Sequence, residues 1–270
     1  MKMVVLVDNI GTEGLLGEWG LSIYIEHRGV RWLLDAGQSN LYLRNAKALG
    51  INLALVNHAV LSHAHYDHAN GFKFFFAING RADLLVAAGA SERCWKIKDG
   101  QWEYIGIAQG LLAQAGKRLR RIACLEQIEE GAYILPHATA AFEKTGLSEQ
   151  MYLRDGEDSR PDDFTHEQSL IFETERGLVV LNSCSHVGAD IIVREVMEAL
   201  PGKPLLSLVG GFHLYNKTEN QVRAFAKRLA AMRVESLYTG HCTGMEAFMT
   251  LREVMGTKIA HLRTGLVTEF

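Results

Sequence analysis

His63-Ala64-His65-Tyr66-Asp67-His68 places three imidazoles and a carboxylate within six consecutive residues, directly after the apolar run Ala59-Val60-Leu61 and Ser62. A short apolar run of that kind reads as a buried strand, so the cluster is delivered at a strand end. Residues two apart on extended backbone point the same way, and His63 and His65 can therefore face one ion together. A turn then carries Asp67 and His68 round to a neighbouring position. Imidazole nitrogen with carboxylate oxygen suits zinc, iron or manganese. A purely structural role would leave several polar rings in one patch without partners. These four residues do not complete two coordination shells, so other ligands must come from elsewhere.

Upstream of the cluster, residues 21–26 alternate apolar and polar, Arg28-Gly29 makes a turn, and residues 30–34 follow, a hairpin pattern. The second strand ends at Asp35-Ala36-Gly37. Ser39 or Asn40 can cap a helix that runs to Leu49 and stops at Gly50. Between about residues 71 and 160 the pattern weakens, although residues 84–86 and 133–135 read as strands. Lys117, Arg118, Arg120 and Arg121 form a local basic cluster, read either as a solvated face or as a phosphate or carboxylate contact from a loop over the site.

The last hundred residues are regular again. Residues 169–173 and 178–181 form a second hairpin pattern, residues 191–200 a helix, and residues 205–209 a buried strand. Thr218-Glu219-Asn220-Gln221 is a capping-box signature opening another helix; Leu237-Tyr238 is a short strand, and residues 246–255 a final helix. Three histidines follow three of these strands: His186 in Asn182-Ser183-Cys184-Ser185-His186, His213 in Gly211-Phe212-His213, and His241 in Gly240-His241-Cys242. That placement matches an active site along one edge of a sheet, in a single α/β domain over residues 1–270.

With these motifs in order (LLDAG, SHAHYDHANG, SCSH and GHCTG), the chain resembles the metallo-β-lactamase superfamily over nearly its full length. The resemblance implies a four-layer αββα sandwich. It also implies that His63, His65 and His186 hold one divalent metal and Asp67, His68 and His241 the other, while Asp35 orients a ligand or the loop. Many members carry a bridging aspartate after the strand that precedes the last histidine; here that place reads Val209-Gly210-Gly211-Phe212-His213. His213 then serves as a ligand, as a proton and substrate contact, or as a hydrogen-bonded loop residue. Val7-Asp8-Asn9, Trp19-Gly20-Leu21-Ser22, GGFHL and HCTG further resemble the dihydropterin ribofuranosylaminobenzene-phosphate synthase-like branch. Where that branch has a D-D-Q-type triplet, this chain reads His166-Glu167-Gln168.

The implied chemistry is a metal-dependent hydrolase with two divalent ions (zinc, with iron or manganese as alternatives), a metal-activated water, Asp67 steering the nucleophile and His213 donating a proton to the leaving group. A synthase-like transferase is the alternative, with Arg118, Arg120 or Arg121 on the phosphate. A di-iron redox protein would supply more carboxylates and a flavin domain, and a non-catalytic metal-binding module would need no open coordination position. Cys184 and Cys242 are either soft ligands or packing residues beside the site. Trp19 either walls the pocket or packs. His27, His58, His137, His166 and His261 read as structural.

The 270 residues carry a net charge of −3, which provides no global field for nucleic acid or an anionic membrane. The four cysteines form no C-x-x-C pair, the pattern of a reducing compartment. Asp8 follows only five apolar residues after Lys2, too few for a signal-peptide core. No stretch approaches the roughly 18 apolar residues of a membrane span. A cytoplasmic protein acting on a small molecule is expected; the oligomeric state is not legible.

Overall fold

The computed structural model describes residues 1–137 and 142–270. In the strand Ser22–His27, Ile23 and Ile25 face one side and Tyr24 the other, as strand geometry requires. This strand pairs antiparallel with Lys2–Val7 and with Val30–Leu34. The tight turn between the last two puts both Arg28 (φ 48°) and Gly29 (φ 78°) in the left-handed region, the form that matches strand twist. Val30–Leu34 then continues in parallel with His58–Val60, Asp83–Ala87 and Leu119–Ile122, while Val267–Glu269 closes the other edge beside Lys2–Val7. A second seven-stranded sheet runs in the order Ile259–His261, Ser236–Thr239, Leu205–Val209, Gly177–Leu181, Gln168–Thr174, Ala132–Pro136, Glu126–Glu129.

Alternation decides how the sheets meet. Met3, Val5, Ile23, Ile25, Trp32, Leu34, Val60 and Leu85 from one sheet form a buried cluster with Ile134, Leu170, Phe172, Val179, Leu181 and Val209 from the other. Trp32 and Phe172 meet edge-on across it, with ring centroids 5.5 Å apart. The other alternates, among them Leu6, Tyr24, Leu33, Leu178, Val180 and Leu208, pack with helix residues. Leu41–Ala48 and Phe72–Ile78 supply Tyr42, Ala46, Phe72 and Phe75; Ala189–Ala199, Glu219–Ala231 and Met245–Met255 supply Ile192, Val196, Phe225, Leu229, Phe248 and Leu251. The result is the four-layer αββα sandwich.

The capping box opens the Glu219–Ala231 helix as expected, with Thr218 and Gln221 bonded reciprocally. At the start of Leu41–Ala48 it is the Ser39 hydroxyl that accepts the Leu41 N–H, and Asn40 makes no side-chain cap bond. The weakly patterned middle of the chain holds a four-stranded antiparallel sheet in the order Asp158–Pro161, Met151–Asp155, Cys94–Lys98, Gln101–Tyr104. Among the described residues no helix is long and apolar enough to cross a membrane.

Candidate metal centre

Four strands of the sandwich end along one edge, and the donors lie just beyond them. His58–Val60 leads to His63, His65, Asp67 and His68; Gly177–Leu181 leads to Cys184 and His186; Leu205–Val209 leads to His213; Ser236–Thr239 leads to His241. The segment Tyr66–Ala69 is a single helical turn with extended His65 before it, which provides the bend after the first two histidines. Asp35, Ser185, His213 and His241 all hold left-handed backbone (φ 48–56°), at a cost of about 1–3 kcal/mol each. Such strain persists only where the surrounding packing over-determines it.

Two trios result. One ligand atom each from His63, His65 and His186 lie within 4.8 Å of one another, and so do those of Asp67, His68 and His241. In the second trio His68 Nε2 is 3.1 Å from His241 Nε2, and Asp67 Oδ2 is 3.3 Å from His241 Nε2 and 3.5 Å from His68 Nε2. All six residues are buried.

Hydrogen bonds fix which nitrogen His63, His68 and His241 present. The Ser62 hydroxyl donates to Asp35 Oδ2 (2.7 Å), so it accepts from His63 Nδ1–H (2.9 Å). His68 Nδ1–H donates to the same Asp35 oxygen at 2.8 Å, and His241 Nδ1–H to Asn9 Oδ1 at 3.0 Å. Each pairing leaves Nε2 with its lone pair turned into the site. Nε2 of His63, His65 and His186 is buried without any hydrogen-bond partner. Orphaned buried nitrogens are costly unless something electropositive meets them, so this donor set fits divalent cations.

The electrostatics differ between the two trios: the first holds neutral rings, the second carries the negative charge of Asp67 and Asp35. Burial, reinforced by neighbouring histidines, holds His63 and His186 well below the ordinary imidazole value; burial also takes His65 down to about 3. Burial alone would lower His68 too, but Asp67 and Asp35 outweigh it and raise the ring to about 9. Burial likewise works to raise the Asp67 carboxyl, and His68 and His241 hold it well below the carboxylate range. At His213 contacts with Cys242 and Glu149 overcome burial and raise the imidazole to about 9. Its Nε2 is 3.6 Å from Glu149 Oε2, and its ring is 4.3 Å from that of His186.

A pocket opens over both trios, lined by Trp19, Tyr66, Lys96, Lys98, Glu103, Ile105, Met151 and Tyr215, with Cys184, His186, His213, His241 and Cys242 at its inner end. Trp19 is a wall residue, 5.0 Å from the His241 ring. Gly20 follows it at φ +143°, where a Cβ would meet the Asp67 carbonyl at 2.4 Å; only glycine permits that approach.

Several expectations are corrected. Arg118 donates to the Asn79 carbonyl, Arg120 pairs with Glu126 and Asp83, and Arg121 donates to the Ala88 and Ala90 carbonyls; none of the three lines the pocket. They lie on or beside an edge strand and serve it. His166 is not outside the constellation: with Cys94 and Asp162 it offers ligand atoms within 4.8 Å of His65, and its Nδ1 accepts the Ala64 N–H at 3.1 Å. Its Nε2 is 3.1 Å from Asp162 Oδ2. The loop before Gln168, whose His166-Glu167-Gln168 departs from the branch's triplet, is turned inward, with all three residues fully buried. Glu167 accepts the backbone N–H groups of His186 and Val187, and Gln168 donates to the Leu61 and Leu85 carbonyls. Asn9 and Asp8 were also missed as site residues. Asp8 accepts the His241 N–H at 2.9 Å, and burial raises its carboxyl to about 6.

Comparison with known proteins bears on this arrangement. Residues 20–193, well over half of the chain, match the metallo-beta-lactamase superfamily. The chain belongs to that superfamily. Its members generally bind divalent metals, which accords with the His, Asp and Cys clusters of this superfamily protein. It is 26% identical, over 93% of its length and 90% of the relative's, to 7,8-dihydropterin-6-methyl-4-(beta-D-ribofuranosyl)-aminobenzene-5'-phosphate synthase of Methanocaldococcus jannaschii. A crystal structure described as a metal-dependent hydrolase of the beta-lactamase superfamily superposes with a TM-score of 0.85 at 26% identity, covering 100% of this chain and 99% of that one. A diphosphatase from the PhnP family shares the fold at TM-score 0.53 and 17% identity, covering 100% and 97%.

Proposed function

We propose that residues 1–270 act as one metal-dependent hydrolytic domain, using a metal-activated water on a small ester, lactone or phosphate-containing substrate. The observation that carries this reading is the convergence of two donor trios at the inner end of one pocket, with Nε2 lone pairs unspent. His63, His65 and His186 would hold one ion, and Asp67, His68 and His241 the other; zinc suits the set, with iron or manganese as alternatives. Bound there, the ions would supply Lewis acidity that brings the ionisation of a water near neutral pH and offsets charge developing on the substrate.

The chain's own groups do the remaining work. Asp67 steers the nucleophile, and His213 offers a proton to the leaving group. Trp19, Tyr66 and Tyr215 give the pocket flat apolar walls, while Lys96 and Lys98 put two cations on it. An anionic group on the substrate suits those lysines better than the arginines of the edge strand. Val267–Glu269 pairs with Lys2–Val7, and the Met1 ammonium donates to the Phe270 carbonyl, so both ends of the sequence join one sheet.

A synthase-like transferase is the second reading, favoured by the Methanocaldococcus jannaschii relative of that name. One assay separates the two. Protein stripped by chelator and reloaded with metal is offered phosphodiesters, lactones, thioesters and pterin precursors. Metal-dependent hydrolysis of any of the first three supports the hydrolase, and turnover restricted to pterin precursors supports the synthase. Turnover that is indifferent to metal and intact in His65→Ala contradicts both.

A further inference from the structure

The glycine pair after Leu205–Val209 leaves the site without a carboxylate there, and the structure shows what occupies the space. A Cβ on Gly211 would stand 2.4 Å from Cys242 Sγ and 2.9 Å from the Ser183 carbonyl. The Cys242 thiol lies where a side chain at Gly211 would point, and Cys184 stands beside it. Of the two thiols at the site, Cys242 is held by backbone: it accepts the His213 N–H at 3.3 Å and lies 3.6 Å from the Cys184 carbonyl. Cys184 is placed differently. Its Sγ is 3.2 Å from His68 Nε2. It also groups within 4.8 Å with the ligand atoms of His63 and His68 on one side, and with those of His241 and Cys242 on the other. The thiol thus contacts His68 of one trio and lies within 4.8 Å of a ring nitrogen of His63 in the other. His63 is fully buried and its Nε2 has no partner.

Ligand spacing permits coordination. With metal–sulfur near 2.3 Å and metal–nitrogen near 2.0–2.1 Å, sulfur and nitrogen on one ion stand about 3.1–3.6 Å apart for angles between a right angle and the tetrahedral value. The 3.2 Å between Cys184 Sγ and His68 Nε2 falls inside that range. We propose that Cys184 is a metal ligand of this site, its thiolate lying between the two trios. As the ion binds, the S–H proton passes to solvent and a sulfur lone pair forms the bond to metal. This assignment rests on the two-ion reading above.

Cobalt(II) replaces zinc readily in N/O/S sites, and thiolate ligation gives it an intense near-ultraviolet charge-transfer band that N/O ligation lacks. The cobalt-loaded wild-type protein is expected to show that band, Cys184→Ser to lose it, and Cys94→Ser and Cys242→Ser to keep it. X-ray absorption at the zinc edge of wild-type protein needs no variant and should show a sulfur shell near 2.3 Å. Full cobalt loading with only nitrogen and oxygen neighbours, or a band that survives in Cys184→Ser, overturns the proposal and leaves the two-ion reading standing. Failure of the wild-type protein to bind cobalt or zinc at all overturns both.

Discussion

Asp35 does more than any other single residue to make the site. Fully buried, it receives the Ser62 N–H at 2.8 Å, the Ser62 hydroxyl and His68 Nδ1–H. Through Ser62 it sets the tautomer of His63, so one carboxylate aims a nitrogen into each trio. Asp35→Ala should lower metal affinity 10–100-fold, as loss of a ligand's hydrogen-bond partner generally does. It should also cost about 2–4 kcal/mol, because a buried hydrogen-bonded network is left incomplete. Metal titration and denaturant unfolding check the two halves separately; unchanged affinity would remove Asp35 from this role. At this scale the sequence was most legible for His63, His65, Asp67 and His68, since their spacing alone brings the donors together. Asn9 carried no such signal, because its partner His241 lies more than two hundred positions away and only the fold joins them.

Among elements, the small antiparallel sheet was the hardest to read. Its strands have four or five residues, too few for a periodicity to show, and Cys94–Lys98 pairs with Met151–Asp155 some fifty residues on. The hairpins and the buried strands Leu205–Val209 and His58–Val60 could be read because their alternation or apolar run is local. Yet the small sheet supplies Lys96, Lys98, Glu103 and Met151 to the pocket. Replacing Lys96 and Lys98 together by Ala should raise KM for anionic substrates about tenfold or more and leave kcat within a few-fold, with little effect on neutral substrates. Equal effects on charged and neutral substrates in steady-state kinetics would show that these lysines do not read substrate charge. The 162–168 segment teaches a related lesson. Asp163 bonds at the surface to Arg160 and Thr165, but Asp162, Glu167 and Gln168 turn inward to Phe164, His186, Val187 and the strand ends, pairings that only the fold creates.

The whole molecule holds its donors by joining segments far apart in sequence. Glu149, at the end of the Glu143–Glu149 helix, accepts from Asn216 and pairs with Lys217 just beyond His213. Burial would raise its carboxyl, but His213, Lys217 and Asn216 outweigh that and hold it at about 2, below its ordinary 4.5. A carboxyl with a depressed folded value contributes its full stability above the unfolded value and loses it as pH falls towards the folded one. Glu149 should therefore add about 1–2 kcal/mol near neutrality, after allowance for solvent screening, and lose it between about pH 4.5 and 2. Unfolding free energies of wild type and Glu149→Gln, measured across that range, should converge as pH falls; a constant gap would contradict the assignment. The fold at this scale was largely legible, because two hairpins followed by alternating helices and strands already imply two sheets under helices. What joins the trios is a property of the assembled sandwich, and the most direct test of the account is there. Metal analysis of wild-type protein purified without chelator, beside His63→Ala and His241→Ala, should find two divalent ions per chain in the wild type and about one fewer in each variant. A wild-type protein carrying no metal, or variants carrying as much as the wild type, would contradict it.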